Sequence, residues 1–339
     1  MELALLLSAL VVAVGILILK ASAGALSLSL AFVAVGVGLY LLLKGADIMI
    51  EGAVAIAERV GVSKLFIGLS LVAFGTSAPE LAVSLTSAVK GVGGIAVSNV
   101  VGSNIANIGL CLGLTLIVSN ITVVKTTLKL EIPFLIIVTT SLAAMLLRSD
   151  PPVILWNDGV ILLGFFVLFA YYLFKMAQTD MEVLEKAEHI NLPRAIFFTA
   201  IGLAGVAIGG DLTVDGVVEM SKAFGLSNSF FGLTVVALGT SLPELVTSLT
   251  AAVKGHSDLS IGNIVGSNIM NISVIIGLSS LAGRRLAVDV KGYWVDTSFL
   301  ILEVLLLLLL SLKRRLTKAS GALLLASYIP FIVFVVMRG

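Results

Sequence analysis

Two six-residue stretches constrain this chain more than anything else in it. "GTSAPE" occupies residues 75–80 and "GTSLPE" residues 239–244, each inside an otherwise apolar run. Glu244 minus Glu80 is an offset of 164, which also carries Ser103 to Ser267, Asn107 to Asn271 and Asp47 to Asp211. Between residues 68–113 and 232–277, 26 of 46 aligned positions are identical. A fixed offset sustained over that length is an internal duplication.

The duplication lies in a chain built for lipid. Of its 339 residues 59% are hydrophobic and 12% charged, against about 25% charged in a soluble domain. Apolar spans are expected near residues 3–19, 26–57, 65–89, 95–118, 130–147, 153–175, 195–220, 229–253, 259–281, 293–312 and 321–336. Most approach the ~20 residues that cross a bilayer as helix. The short alternating segments of a transmembrane barrel are absent. The expected fold is therefore an all-α polytopic membrane protein. From the span holding Glu80 to that holding Glu244 there are five crossings, and an odd number reverses direction. The sequence thus predicts two inverted five-helix repeats, ten core transmembrane helices, a pattern found in secondary transporters. The expected segments are residues 1–25, an extra N-terminal helix or signal peptide; 26–175, the first repeat; 176–194, a linker; and 195–339, the second repeat. "ASA" at residues 21–23 resembles a signal-peptidase site, but Glu2 and no basic residue precede the apolar run, which favours a retained helix.

Lysine and arginine divide unevenly between the two sides of this topology. The side holding residues 176–194 collects twelve, among them Arg59, Lys64, Lys175 and Lys254; the other collects eight, among them Lys20 and Lys90. The positive-inside rule places the linker in the cytoplasm and the C-terminus outside. A net charge of +1 without a basic domain offers nothing to nucleic acid. Cys111 is the only cysteine, and His189 and His256 fall in no metal-ligand spacing. No resident cofactor and no obligate protein partner is expected.

The doubled motif carries the chemistry. A lone carboxylate at mid-membrane costs at least ~2.5–3.5 kcal/mol. Two that face each other need cations or protons between them. Thr76 and Ser77 stand four and three residues before Glu80, so the three can share a helix face. Pro79 lacks an N–H and clashes with the Gly75 carbonyl, so the helix should break or widen and release carbonyls such as those of Ala73 and Thr76. Ala237, Thr240, Ser241 and Pro243 repeat the device. Carbonyls, hydroxyls and carboxylates are hard oxygen ligands, suited to calcium and sodium. In each repeat a following helix adds a stripe at i, i+4, i+8: Asn99, Ser103, Asn107, then Asn263, Ser267, Asn271.

These paired "GTS[A/L]PE" and "[S/G]N[V/I]VGSNI" blocks resemble the alpha repeats of the calcium/cation antiporter superfamily, above all its prokaryotic sodium/calcium exchangers. The resemblance covers the chain from about residue 26 onward. It implies ions bound between the repeats and access alternated by sliding of each repeat's first helix. It implies that Glu80 and Glu244 share calcium, with backbone and hydroxyl ligands from Ala73, Thr76, Ser77, Ala237, Thr240 and Ser241. Ser103 and Ser267 would line outer sodium sites, and Asn107 and Asn271 would reach the centre. Some such exchangers carry aspartate where this chain has Asn271. Two acids give a charge of −2, which one Ca²⁺ balances and three Na⁺ would exceed by one.

The expected function is Ca²⁺/Na⁺ antiport across the cell membrane, with Ca²⁺/H⁺ exchange on the same glutamates as the alternative. The partners are then the bilayer, Ca²⁺ and Na⁺, or H⁺. The blander reading pairs each glutamate with Lys90 or Lys254, ten residues on. A solvated helix face would account for the acid pairs Asp47 with Glu51 and Asp211 with Asp215. An enzyme is disfavoured, since no Ser–His arrangement or "HExxH" is present. A channel is set against the inverted repeat, which argues for alternating access.

Overall fold

The computed structural model describes residues 2–23, 27–183, 191–223, 241–288 and 293–338. Twelve helices follow in chain order among the described residues: α1 (Glu2–Ala23), α2 (Leu28–Val60), α3 (Lys64–Thr76), α4 (Ala78–Val89), α5 (Gly93–Val118), α6 (Thr127–Leu147), α7 (Trp156–Val183), α8 (Leu192–Ala223), α9 (Leu242–Val253), α10 (Ser257–Gly283), α11 (Tyr293–Ser311) and α12 (Lys318–Arg338). Eight are long and apolar enough to cross a membrane, and the bent pair α3–α4 makes a ninth. The protein is thus helical and multi-pass. The expected span at residues 229–253 is described only as the short helix α9, because residues 224–240 lie outside the described set. Helix α7 continues to Val183 and α8 begins at Leu192, both inside the expected linker of residues 176–194.

Local chemistry sets the boundaries that matter. Ser27 caps α2, accepting a hydrogen bond from the Leu30 N–H, and Gly61 ends it at φ 80°. Pro79 and Pro243 open α4 and α9, where a missing N–H costs nothing. Gly91 and Gly255, both at positive φ, follow the last residues of those helices.

Glycine lets α2 and α8 touch. A Cβ on Gly45 would meet the Val206 nitrogen at 2.8 Å, and one on Gly202 would meet the Gly45 oxygen at 2.6 Å. Gly38 faces Gly209, and Gly52 faces Thr199, so the helices run antiparallel. Small residues permit such backbone approach where lipid supplies no hydrophobic drive. Helix α1 covers this pair, burying Leu6, Leu10, Ala13 and Ile16 with Ala31, Leu41 and Leu212. The main core gathers α5, α6, α10, α11 and α12 through Ile105, Leu112, Leu135, Ile264, Ile272, Leu300 and Leu324.

One departure from all-helix was not visible in the sequence. Two antiparallel ribbons join loops: β1 (Ile121–Thr122) pairs with β4 (Arg315–Leu316), and β2 (Val153–Leu155) pairs with β3 (Arg285–Ala287). At two or three residues each, they are too short for a period-2 signal. Moving β1 by 164 lands inside β3, so each half contributes the same strand to a pair completed by the other half.

Candidate ion-binding site

The "GTSAPE" stretch does break its helix. Residues Gly68–Val72 widen into π-helix, and the axis turns by 48° between α3 and α4. Ser77, at φ −83° and ψ 5°, is the hinge residue. Widened turns cluster where side chains must be re-aimed. The same widening recurs at Asn107–Leu112 in α5 and Asn271–Ile276 in α10. The expected release of the Ala73 carbonyl is only partial: it still accepts the Ser77 N–H at 3.1 Å.

Both glutamates are fully buried, at 0% exposure. Neither is paired with Lys90 or Lys254: Lys90 is exposed, and Lys254 binds elsewhere. Ser77, at the hinge of the first repeat, donates its hydroxyl to Glu244 Oε1 of the second at 3.1 Å. The Thr76 and Ser267 hydroxyls face the same carboxyl. Thr76 Oγ1 also donates to Asn263 Oδ1 at 3.1 Å and lies 3.4 Å from Ser267 Oγ, and Ser267 Oγ lies 3.4 Å from the Ala73 oxygen. Ala73, Thr76, Ser77, Glu244 and Ser267 are therefore brought together. Glu80 opens α4 beside them, its carbonyl held by Asn99 Nδ2 at 3.3 Å. Asn263 approaches the Glu244 carbonyl at 3.5 Å in the same way. The two asparagines tie the glutamate helices to α5 and α10. Ser103 and Ser241 are buried. Ala237 and Thr240 lie outside the described residues.

The centre holds two residues that the sequence reading passed over. Asn104 Nδ2 donates to the Asn268 carbonyl at 3.0 Å, and Asn268 Nδ2 donates back to the Asn104 carbonyl at 3.1 Å. Asn107 Nδ2 then donates to Asn268 Oδ1 at 2.9 Å, and Asn271 Nδ2 to Asn104 Oδ1 at 3.0 Å. Residue i binds j and j binds i, the mark of a two-fold relation. The network uses the N–H groups of Asn107 and Asn271 and leaves their Oδ1 atoms without partners among the described residues. Ser241 Oγ and Glu244 Oε2 are likewise unsatisfied there. The signal for Asn104 and Asn268 was their repetition at the offset, three residues before Asn107 and Asn271. The i, i+4, i+8 stripe excluded them.

Chemically, the site is a buried surplus of oxygen acceptors. Buried polar atoms are normally satisfied, and buried carboxylates require a counter-charge. Among the described residues no group of three His, Cys, Asp or Glu side chains gathers as a transition-metal cluster would. Two carboxyls with neutral amide, hydroxyl and carbonyl oxygens fit hard cations.

A family model described as "Sodium/calcium exchanger protein" matches residues 30–175 and 194–337. The chain belongs to that family. Membrane protein MJ0091 of Methanocaldococcus jannaschii is 34% identical over 289 residues, 85% of this chain and 92% of its own. Sodium/calcium exchanger MaX1 of Methanosarcina acetivorans is 28% identical over 332 residues, 86% of this chain and 94% of its own. A solved structure of the sodium-calcium exchanger NCX_Mj, soaked with 10 mM Na⁺ and zero Ca²⁺, superposes with a TM-score of 0.80 at 34% identity, covering 91% of this chain and 99% of that one.

Proposed function

We propose that this chain is a secondary antiporter that exchanges Ca²⁺ for Na⁺ across the cell membrane by alternating access. Glu80 and Glu244 share the cation at the interface of two inverted five-helix repeats, residues 26–175 and 195–339. Thr76, Ser77, Ser241, Ser267, Asn107 and Asn271 complete the oxygen shell, with Ala73, and with Ala237, Thr240 and Ser103 as the repeat-related members. Residues 176–194 face the cytoplasm and the C-terminus faces outside. Helix α1 is retained as part of the mature fold, since its loss would bare the face it covers on α2 and α8.

The observation that carries this reading is the hydroxyl of Ser77, in one repeat's hinge, bonded to the buried Glu244 of the other. The first repeat thereby contributes a hydroxyl to the second repeat's carboxyl, and movement of its hinge changes that carboxyl's surroundings. An empty pocket with two carboxylates resists passage through a closed low-dielectric state, so only loaded or protonated forms switch sides. Chemistry on a substrate is not required of any residue here; the chain moves its cargo unchanged and is not an enzyme.

The test is calcium uptake into proteoliposomes with the two gradients set independently. An outward Na⁺ gradient at clamped pH drives uptake under this reading. Uptake driven only by a pH gradient replaces it with Ca²⁺/H⁺ exchange on the same glutamates. Flux without counter-transport identifies a channel.

A further inference from the structure

The backbones that follow the two glutamate helices are near copies, yet their lysines behave differently. Lys90 ends α4 at φ −77°, ψ 0°, and Lys254 ends α9 at φ −74°, ψ 1°. Lys254 minus Lys90 is the repeat offset of 164. Lys254 reaches helix α2: its Nζ lies 2.5 Å from Asp47 Oδ1, 3.1 Å from the Asp47 carbonyl oxygen and 3.5 Å from Glu51 Oε1. The offset carries Asp47 to Asp211 and Glu51 to Asp215, both on α8. The mirror contact would therefore join Lys90 to Asp211 and Asp215. It is absent: Lys90 is exposed and makes no ion pair among the described residues. Asp215 is instead paired with Lys20, from helix α1, which precedes the first repeat.

We propose that Lys254 with Asp47 and Glu51, and Lys90 with Asp211 and Asp215, are alternating latches, each closed in the conformation in which the other is open. Lys20 holds Asp215 while the Lys90 latch is open. This rests on the alternating-access reading above, and adds to it the contacts that distinguish the two end states.

The argument is one of symmetry. Two halves related by a two-fold axis and captured in one state are asymmetric where that state differs from its mirror image. Exchanging the roles of the halves generates the other state. Among Asn104, Asn107, Asn268 and Asn271 the hydrogen bonds are reciprocal and do not distinguish the states, whereas Ser77 bonds Glu244 and its repeat mate Ser241 has no Oγ partner among the described residues. At the ends of α4 and α9 the contacts do distinguish them. The acid pairs sit on α2 and α8, which touch each other through glycine and so move together. Motion of that pair draws Asp47 and Glu51 away from Lys254 and carries Asp211 and Asp215 toward Lys90. Each latch joins partly exposed charges, 27% and 27% for Lys254 with Asp47. Such pairs contribute at most about 1 kcal/mol, enough to bias a two-state equilibrium about two- to five-fold without freezing it. By competing for Asp215, Lys20 lets α1 set the balance.

Two experiments on the full chain in proteoliposomes test this. First, half-saturating Ca²⁺ is measured separately on each membrane face for Lys254→Gln, Lys90→Gln and the double variant. The expected shifts are about two- to five-fold, of opposite sign for the two single variants, and largely cancel in the double. Shifts of the same sign, or none, overturn the latches, because a structural loss has no reason to depend on the face. Second, with Cys111 replaced by Ala, a short thiol cross-linker is applied to the pair Lys90→Cys with Asp211→Cys. Cross-linking is expected to rise under the gradient that lowers it for Lys254→Cys with Asp47→Cys. Failure of the Lys90 pair to link under either gradient overturns the proposal even where the unmodified chain exchanges normally. Absence of exchange in the unmodified chain would instead sink the antiport reading, and the latches with it.

Discussion

The centre of this molecule and its periphery obey different rules. Around Asn104 and Asn268 each side-chain hydrogen bond has its mirror: carbonyl for carbonyl, amide for amide, 3.0 against 3.1 Å and 2.9 against 3.0 Å. At the ends of the glutamate helices the mirror fails: Lys254 is bound to α2, while Lys90 is exposed and makes no ion pair among the described residues. The difference teaches where duplication is constrained. A cation held between two halves needs matched ligands from both. A structure that rests in one of two states must be unmatched somewhere, and the solvent-exposed ends are where mismatch costs least.

That contrast can be broken or sharpened by mirrored substitutions. The largest effect belongs to the acids: Glu80→Gln and Glu244→Gln should each reduce calcium exchange to background in vesicle uptake. One inactive and one active variant would end the claim of a shared site. Next come the asparagines that orient Asn107 and Asn271. Asn104→Leu and Asn268→Leu should each weaken apparent calcium affinity by about 10–100-fold, the usual cost of removing a ligand's orienting partner. Because their bonds are reciprocal, the two losses should agree; a large disparity would show that the centre is less symmetric than its geometry. Third is the helix contact. Gly45→Ala and Gly202→Ala press a methyl into facing backbone at 2.8 Å and 2.6 Å, and should each cost about 1–3 kcal/mol of stability, read as earlier thermal inactivation in detergent. Gly36→Ala, with nothing within 4 Å, should be silent. The smallest effect is at the edge. Lys20→Gln removes a partly exposed ion pair, worth at most about 1 kcal/mol and screened by salt. A loss of stability in that variant that persists at high ionic strength would mean that Lys20 acts through packing.

Much of this was legible before any coordinates. The apolar spans follow from composition, the duplication from a constant offset, and the prominence of Glu80 and Glu244, both buried in the structure, from the cost of carboxylates in lipid. What escaped reading has physical causes. Asn104 and Asn268 were hidden because a stripe at i, i+4, i+8 assumes a regular helix. The helix widens at Asn107 and Asn271, which re-aims the residues on either side. The partners of Asp47 and Asp215 were hidden because Lys254 and Lys20 lie far away in sequence and reach them only through folding; a solvated face was the expectation, and ion pairs are the finding. The Ala73 carbonyl was expected free because proline removes a donor. The donor it removes belongs to the Gly75 carbonyl, and the Ser77 N–H still serves Ala73.

Equilibrium binding of radioactive calcium to the purified chain addresses the central claim without transport. One Ca²⁺ per chain is expected, displaced by Na⁺, with binding lost in both Glu80→Gln and Glu244→Gln. Retention of full-affinity binding by either variant would contradict a cation held jointly by the two glutamates.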